Sequence, residues 1–301
     1  MAADISRATY DKNLHTFWIV ITGFHEEDNT FLSYSGGEPY IQRETPQDLV
    51  TSMDTLFYSP AFTKACSHLT ALQTFRNGGT SPAPWNSLNF GDNTGDNPGR
   101  IRQNKAILCN KLGISPRMLA TAGQVHGTTV SPARTPGHYE ECDALITNTA
   151  GIFLCIQTAD CFPLVIHDPV SRSVGVAHAG WKGSAGKIAA ATVRELGKHF
   201  GAEAHNCFAW IGAGISGAAY EVSSEVAVRF PKEYSSPTPD GRFMLDLAAV
   251  NWLQLSDAGI PNQNIESSPY CTFRDNAQFF SYRRDSGKTG RMLTIAGITP
   301  P

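Results

Sequence analysis

Short apolar runs that end at turn residues dominate the pattern of hydrophobic and polar positions along the chain. Five of these runs predict β-strands, at residues 118–122, 152–157, 163–167, 173–177 and 207–211. The link between the third and fourth runs is too short for a helical crossover, so these two predict an antiparallel hairpin. Many short strands with links of this kind favour an α+β sandwich over a doubly wound parallel sheet.

Two segments place side chains at helical spacing. Ile101, Leu108 and Leu112 share one face of the first, and every fourth side chain from Ile188 to Phe200 lies on one face of the second. Each segment is followed by a glycine, a residue that commonly ends a helix. The pattern therefore predicts one helix that ends before residue 113 and another that ends before residue 201.

The N-terminal part of the chain, up to about position 65, differs in pattern from the rest. An apolar run at residues 18–21, a candidate strand, is followed by a polar stretch from residue 26 to residue 48. The densest patterning begins near Leu72. We therefore predict an N-terminal extension over residues 1–65, to which the pattern assigns no role, and one main domain over residues 66–301.

Composition and charge exclude several classes of protein. The 301 residues are 41% apolar and 17% charged, which supports a sizeable core and excludes global disorder. Lysine and arginine total 24 against 27 acidic residues, so no basic excess is present to bind nucleic acid. The longest apolar runs are about five residues, whereas a membrane span needs roughly 20. The start of the sequence lacks the features of a signal peptide, so we expect a cytoplasmic protein.

Cysteine and histidine are concentrated in one stretch. Of the seven cysteines and nine histidines, seven residues lie between His126 and His178. Three of these, His126, Cys161 and His178, each stand at the end of a predicted strand. Two imidazoles and one thiolate suit a catalytic zinc site, which keeps a fourth position open for water or substrate. The other four are interpreted as packed side chains: His138, Cys142, Cys155 and His167.

The same residues allow a second interpretation. Cys161 and His178 would form a thiolate–imidazolium pair for acyl transfer, with Asp160 or Asp143 orienting the imidazole. The protein would then be a metal-free cysteine hydrolase that cleaves an amide, for example in cell-wall precursors. Both chemistries need a thiolate beside an imidazole, so the sequence alone does not separate them.

Several basic residues lie in glycine-rich turns where an anion could bind. Lys182 lies in a turn that leads into the second predicted helix, and Arg76 precedes a double glycine. Near the C-terminus, Arg283, Arg284 and Arg291 flank two further glycines. Arginine side chains and the backbone N–H groups at a helix start both suit phosphate or carboxylate. The turn at Lys182 lacks the spacing of a P-loop.

The segment 212–217 matches the pattern G-x-G-x-x-G of dinucleotide-binding folds. That function needs a helix that opens immediately after the glycines, within a βαβ unit. Pro231 interrupts the chain soon after Gly217, and no acidic residue closes a recognisable second strand. We therefore expect no dinucleotide site here.

Seven motifs follow one another in the part of the chain from about residue 70 to residue 298. In chain order they are Ser87-Leu88-Asn89, Gln124-Val125-His126-Gly127, Cys142-Asp143-Ala144-Leu145-Ile146-Thr147, Thr158-Ala159-Asp160-Cys161, His178-Ala179-Gly180-Trp181-Lys182-Gly183, Ser281-Tyr282-Arg283-Arg284-Asp285 and Thr289-Gly290-Arg291-Met292. Together they resemble the YfiH family. Its members were long labelled multicopper polyphenol oxidases or laccase-domain proteins and are now described as purine nucleoside phosphorylases.

The resemblance implies a fold and an activity. The implied fold is a single α/β/β/α layered domain, similar to that of certain cysteine hydrolases. The implied metal site is a zinc ion held by His126, Cys161 and His178. The implied activities are phosphorolysis of adenosine, inosine, guanosine and S-methyl-5′-thioadenosine, and deamination of adenosine. The expected partners are therefore a nucleoside and phosphate, while the oligomeric state is not indicated.

Roles follow for the charged residues if the protein is such an enzyme. Arg76, Lys182 and Arg284 are the expected phosphate-binding residues. The expected catalytic residues are Cys161, His178, Asp160 and Asp143. Two positions depart from the family pattern, since Lys182 replaces the usual arginine and Ala213 a proline. Lysine keeps the charge at position 182 but loses the bidentate geometry of arginine.

The older laccase label conflicts with the ligand count. A multicopper oxidase needs about ten histidines, several of them in H-x-H pairs. This chain has nine histidines and no H-x-H pair, so multicopper chemistry is excluded. Zinc is the expected ion, with copper as the alternative. A third interpretation, a non-enzymatic protein with a structural zinc, would need Cys142 or His167 as a fourth ligand.

Overall fold

The computed structural model describes residues 55–300 in full and, before them, the backbone of four strands. The chain divides into two compact units, Met1–Asp54 and Thr55–Pro301. The first contains β1 (Asp4–Asp11), β2 (Thr16–Thr22), β3 (Thr30–Ser35) and β4 (Glu38–Tyr40), which pair antiparallel in that order. The candidate strand at residues 18–21 lies within β2. Parts of the polar stretch from residue 26 to residue 48 lie outside the described residues.

The second unit contains the remaining strands and the helices. Its strands are β5 (Phe57–Tyr58), β6 (Leu69–Thr74), β7 (Leu119–Ala122), β8 (Val130–Pro132), β9 (Gly137–Tyr139), β10 (Ala144–Thr147), β11 (Phe153–Thr158), β12 (Phe162–Asp168), β13 (Ser173–Ala179), β14 (Phe208–Ile211), β15 (Glu221–Val222), β16 (Ser235–Pro237), β17 (Phe243–Leu245), β18 (Ile265–Ser267) and β19 (Met292–Ile298). Its α-helices are α1 (Pro98–Leu112), α2 (Trp181–Ala185), α3 (Ile188–Phe200), α4 (Ser224–Ala227) and α5 (Leu247–Asp257). Both β5 and the 3₁₀ helix Ala61–Lys64 belong to this unit, although they fall inside the predicted extension.

Two mixed sheets of six strands form the body of the second unit. The first has the order β5-β6-β19-β11-β7-β9, with β19 antiparallel to both of its neighbours and β7 parallel to both of its own. The second has the order β18-β14-β12-β13-β10-β8, with an antiparallel centre and a parallel strand at each edge. A separate small sheet has the order β15-β17-β16.

The two six-stranded sheets pack face to face, and helices cover their outer faces. Alternate side chains of β11 therefore face different layers. Leu154 and Ile156 lie in the core between the sheets, whereas Phe153 and Cys155 pack with Leu108 of α1. Side chains of the second sheet alternate between its two faces in the same way, and those on the outer face pack against α3 and α5. The layers follow the order α/β/β/α, which confirms the predicted α+β sandwich.

Both predicted helices and all five predicted strands are present. Helix α1 ends at Leu112 and α3 at Phe200, and the glycines that follow have left-handed backbone with φ of 67° and 71°. The predicted hairpin is formed by β12 and β13, which pair antiparallel from Phe162 opposite Ala179. Among the helices of the described residues, none has the length and apolar character needed to cross a bilayer.

The glycine-rich segment 212–217 is a close-packed turn. No helix opens directly after it, and the next helix in the described chain is α4 at Ser224. A Cβ atom at Gly214 would lie 2.6 Å from the ring of Phe162, and one at Gly212 would lie 2.8 Å from Pro163. The glycines therefore let this segment approach the first residues of β12.

Candidate metal centre

The structure brings His126, Cys161 and His178 together at one point. Each contributes one ligand atom, and these three atoms lie within 4.8 Å of one another. The two imidazole rings have centroids 4.8 Å apart and an interplanar angle of 72°. Three far-separated stretches of chain therefore supply one group of two nitrogen donors and one sulfur donor.

Strand pairing explains why these side chains meet. Cys161 lies directly before β12 and His178 near the end of β13, and Pro163 pairs with His178 across that hairpin. His126 comes from the turn after β7. Because β7 is parallel to β11, the C-terminal ends of both strands lie on the same side of their sheet. Gly180 leaves the space that the cluster needs, because a Cβ atom there would lie 3.0 Å from Cys161 Sγ and 3.1 Å from His126 Cδ2.

Asp143 holds two of the three donors in place. Its fully buried carboxylate accepts hydrogen bonds from the backbone N–H groups of Val125, His126 and Gly127, at 3.1, 2.9 and 2.6 Å. It also lies 2.8 Å from Nδ1 of His178. Burial opposes ionisation of Asp143, but the hydrogen bond from His178 and those from the backbone hold its pKa below the usual range. A charged carboxylate at this point keeps the proton of His178 on Nδ1 and leaves Nε2 as the donor atom.

The electrostatics of the cluster favour a thiolate. Burial opposes ionisation of Cys161, but the charge of His178 and the hydrogen bonds from both histidines lower the pKa of the thiol. Burial also opposes charging of His178, but the Cys161 thiolate and the Asp143 carboxylate raise the pKa of its imidazole. Without a metal, these shifts favour a thiolate beside an imidazolium, and a thiolate is the form of sulfur that a metal binds.

The donor set fits a metal ion with an open coordination position. Two imidazoles and a thiolate are ligands of borderline-soft ions such as zinc and copper. Within residues 55–300, no fourth histidine, cysteine or acidic residue joins the group. Cys142 donates its S–H group to the carbonyl of Tyr139, and Nδ1 of His167 bonds the carbonyl of Ser173. The two residues considered as a fourth ligand therefore have other partners.

A cavity of about 410 Å³ opens over this cluster. Its lining residues are His126, Gln157, Thr158, Ala159, Asp160, Cys161, His178, Tyr220, Tyr282, Arg283 and Arg291. The cavity thus combines the three donors with a carboxylate, two guanidinium groups and two phenol rings. Such convergence of polar groups in a concave site is typical of an active site.

Asp160 ties three segments together at the cavity wall. Its carboxylate accepts a hydrogen bond from the hydroxyl of Thr272 at 2.7 Å and another from the backbone N–H of Arg283 at 2.6 Å. Its own carbonyl accepts the N–H of Ile215. The residue has left-handed backbone with φ of 91°, a strained conformation for a residue other than glycine. It therefore positions the turn that carries Cys161 and the segment that carries Arg283.

Two arginines line the cavity. Arg283 donates to the carbonyl of Glu221 at 2.7 Å, and its guanidinium carbon lies 5.2 Å from the centre of the Tyr220 ring. Arg291 donates to two neighbouring backbone carbonyls and lies 5.5 Å from the centre of the Tyr282 ring. Each guanidinium has five N–H donors, so each retains donors for an anion.

The three predicted phosphate-binding residues do not line this cavity. The guanidinium of Arg76 donates to two backbone carbonyls and packs over Phe280. Arg284 donates to three backbone carbonyls and to the carboxylate of Asp285. Lys182 is exposed on α2, with its amino group over the ring of Trp181. The two arginines therefore brace loops, and Lys182 lies outside the cavity wall.

Residues 70–299 match the family model described as multi-copper polyphenol oxidoreductase laccase. The purine nucleoside phosphorylase of Deinococcus radiodurans is 40% identical over 228 residues, which cover 75% of this chain and 87% of that protein. The purine nucleoside phosphorylase YlmD of Bacillus subtilis is 35% identical over 241 residues, with the same coverage of 75% and 87%.

Solved structures match the same region. YlmD from Geobacillus stearothermophilus superposes with a TM-score of 0.77 at 32% identity, and the match covers 82% of this chain and 100% of that chain. The hypothetical protein YfiH from Bacillus licheniformis gives a TM-score of 0.75 at 32% identity, with coverage of 79% and 94%. By sequence and by structure, this chain therefore belongs to the YfiH/YlmD family of laccase-domain proteins.

Proposed function

We propose that this chain is a purine nucleoside phosphorylase that acts on adenosine, inosine, guanosine and S-methyl-5′-thioadenosine with phosphate, and that also deaminates adenosine. The observation that carries the proposal is the meeting of His126, Cys161 and His178 beside a cavity with two arginines. The names of the relatives from Deinococcus radiodurans and Bacillus subtilis support the phosphorylase activity. The range of substrates and the deamination rest on the resemblance of motifs to the YfiH family.

We propose zinc as the ion that His126, Cys161 and His178 hold, with copper as the alternative. A thiolate beside two imidazoles suits zinc, and the absence of a fourth side-chain ligand within the described residues suits a catalytic rather than a structural ion. When bound, the ion would polarise a substrate group or lower the pKa of a bound water. Asp143 supports this role by holding the ring of His178 with Nε2 directed to the cluster.

The cavity residues suit phosphorolysis. In this reaction a phosphate oxygen bonds C1′ of the ribose while the bond from C1′ to the purine N9 breaks. The electron pair of that bond stays on the purine, which takes up a proton. Arg283 and Arg291 would bind the phosphate, since both line the cavity and each has N–H donors beyond those bonded to backbone carbonyls. Asp160 is the proposed group for proton transfer, because Asp143 is enclosed by four hydrogen-bond donors and orients His178 instead.

Product identification tests this proposal. The zinc-loaded protein is incubated with adenosine and phosphate, and the products are separated by chromatography. Adenine with ribose 1-phosphate is expected for phosphorolysis, and inosine for deamination. If neither adenine with ribose 1-phosphate nor inosine is formed, both proposed activities are refuted. Cys161→Ala should lose bound metal and activity together, whereas Cys66→Ala, which removes a buried thiol outside the cavity, should keep both. Full metal content and full activity in Cys161→Ala would overturn the assignment.

A metal-free cysteine hydrolase is the second candidate function. The observation that favours it is the spatial arrangement of three side chains. Asp143 contacts His178 and His178 contacts Cys161, which corresponds to an orienting carboxylate, a base and a nucleophile. Activity on an amide that survives a chelator and is lost on thiol alkylation would support this candidate. Loss of activity with the chelator and its recovery on addition of zinc would exclude it.

A further inference from the structure

Tyr282 is an exposed aromatic side chain at the cavity. In the fully described part of the chain, four large apolar side chains are exposed, and Tyr282 is the one among them that lines the cavity, with 55% of its surface accessible. Within residues 55–300 its hydroxyl has no hydrogen-bond partner. An exposed ring at the wall of a polar site leaves apolar surface that a flat ligand can cover.

The ring of Tyr282 is held in place from two directions. The guanidinium of Arg291 lies 5.5 Å from the ring centre, and Arg291 is itself fixed by two backbone carbonyls. Gly287 packs against the outer end of the ring, since a Cβ atom at that position would lie 3.2 to 3.4 Å from its atoms. Because these contacts restrict the ring, a ligand that stacks on it loses less conformational entropy than it would on a side chain without neighbours.

We infer that the Tyr282 ring is the platform on which the purine base stacks, an inference that rests on the proposed function. The ligand class is a flat heteroaromatic bicycle, carried by a nucleoside or free. Stacking depends on the π-face of a base and hardly on its exocyclic groups. It therefore gives one physical reason for a site that accepts adenine, hypoxanthine and guanine nucleosides alike. The smaller ring of a pyrimidine would overlap less with the platform.

Two substitutions separate stacking from other roles of this side chain. Tyr282→Phe keeps the ring, and Tyr282→Leu keeps an apolar side chain, although a smaller one, and removes the π-face. We expect Tyr282→Phe to have the same KM for inosine as the unsubstituted protein. We expect Tyr282→Leu to raise the KM for inosine roughly 5-fold to 100-fold, with the KM for phosphate and kcat within about 2-fold. Tyr234→Leu is the matched control, because Tyr234 is a partly buried tyrosine outside the cavity.

Calorimetric titration with free hypoxanthine gives a readout that needs no turnover. Tyr282→Leu should bind this base roughly 5-fold to 100-fold more weakly than Tyr282→Phe. Equal hypoxanthine affinity in both variants would overturn the inference even if the protein is a phosphorylase. A rise in the KM for phosphate alone would also overturn it and would make Tyr282 a positioning residue for Arg291. Failure of the unsubstituted protein to form ribose 1-phosphate would instead overturn the proposed function, whatever Tyr282→Leu does.

Discussion

The carboxylate of Asp143 lies 2.8 Å from Nδ1 of His178 and, through three backbone N–H groups, also fixes the turn that carries His126. Asp143 is not itself one of the three donors, yet it orients two of them. Carboxylates that bond the second nitrogen of a ligand histidine fix its tautomer and ring orientation. The geometry of the cluster therefore depends on Asp143 as much as on the donors themselves.

Asp143→Asn should weaken metal binding by roughly 10-fold to 100-fold. The amide has the same size, but its NH₂ group cannot accept the hydrogen bonds that the carboxylate accepts. Competition with a chromogenic chelator measures the affinity. Asp168→Asn is the matched control, because Asp168 is another buried aspartate that accepts two backbone N–H groups, outside the cavity. Unchanged metal affinity in Asp143→Asn would contradict the orienting role.

Gly180→Ala should also weaken metal binding, by about 10-fold. The new Cβ atom would lie 3.0 Å from Cys161 Sγ and 3.1 Å from His126 Cδ2, so both side chains must shift by a few tenths of an ångström. Ligand distances in a well-formed metal site lie within about 0.2 Å of their typical values, so such a shift should cost affinity. Chelator competition measures the loss, and the unfolding temperature of the metal-free protein is the control. A variant with native metal affinity would show that the cluster adapts freely.

The sequence predicts that the three donors lie at strand ends, and in the structure their ligand atoms lie within 4.8 Å of one another. His126, Cys161 and His178 each follow or close an apolar run, and a hairpin with correct pairing brings two of them together. The orienting role considered for Asp143 also has a counterpart in the structure. Other features have no local signal. The pairing of β6 with β19 joins the two ends of the second unit, and Tyr220 reaches the cavity only through the tertiary fold.

The directions of the Arg283 and Arg284 side chains are not predicted by the sequence. Arg283 and Arg284 are adjacent and chemically identical, so composition cannot decide which one faces a ligand. The turn that contains them directs Arg284 to backbone carbonyls and Arg283 to the cavity. Side-chain direction in an irregular loop depends on backbone angles that no periodic pattern encodes.

Metal binding should release protons in a pH-dependent way. In the metal-free protein, the pKa of Cys161 is lowered to about 6 and that of His178 is raised to about 9. Between these values the thiol has lost its proton and the imidazole has kept one, so binding of an ion must displace one proton. The dissociation constant for zinc should therefore fall about tenfold per pH unit in this range, and more steeply below it. Affinity that does not change between pH 6.5 and 8.5 would contradict the ion pair.

Arg291→Gln and Arg76→Gln distinguish the two assignments of the phosphate site. Arg291→Gln should raise the KM for phosphate by roughly 10-fold, because a charge-assisted hydrogen bond to the anion is lost. Arg76→Gln should instead lower the free energy of unfolding by about 1 to 2 kcal/mol, since its backbone acceptors lose their donor. Steady-state kinetics at varied phosphate and denaturant titration make the comparison. The reverse outcome would return the phosphate site to Arg76.

Gly214→Ala tests what the glycine-rich segment does. The added Cβ atom would lie 2.6 Å from the ring of Phe162, which is buried and follows Cys161 directly. Overpacking of this kind typically costs about 1 to 3 kcal/mol of unfolding free energy, and we expect a loss in that range by denaturant titration. Phe162→Leu removes part of the ring, so the double variant should lose less stability than the sum of the two single variants. Additive losses would mean that the added methyl group at position 214 and the Phe162 ring do not compete for the same space. A loss of affinity for a dinucleotide in Gly214→Ala would show that the motif binds a cofactor after all.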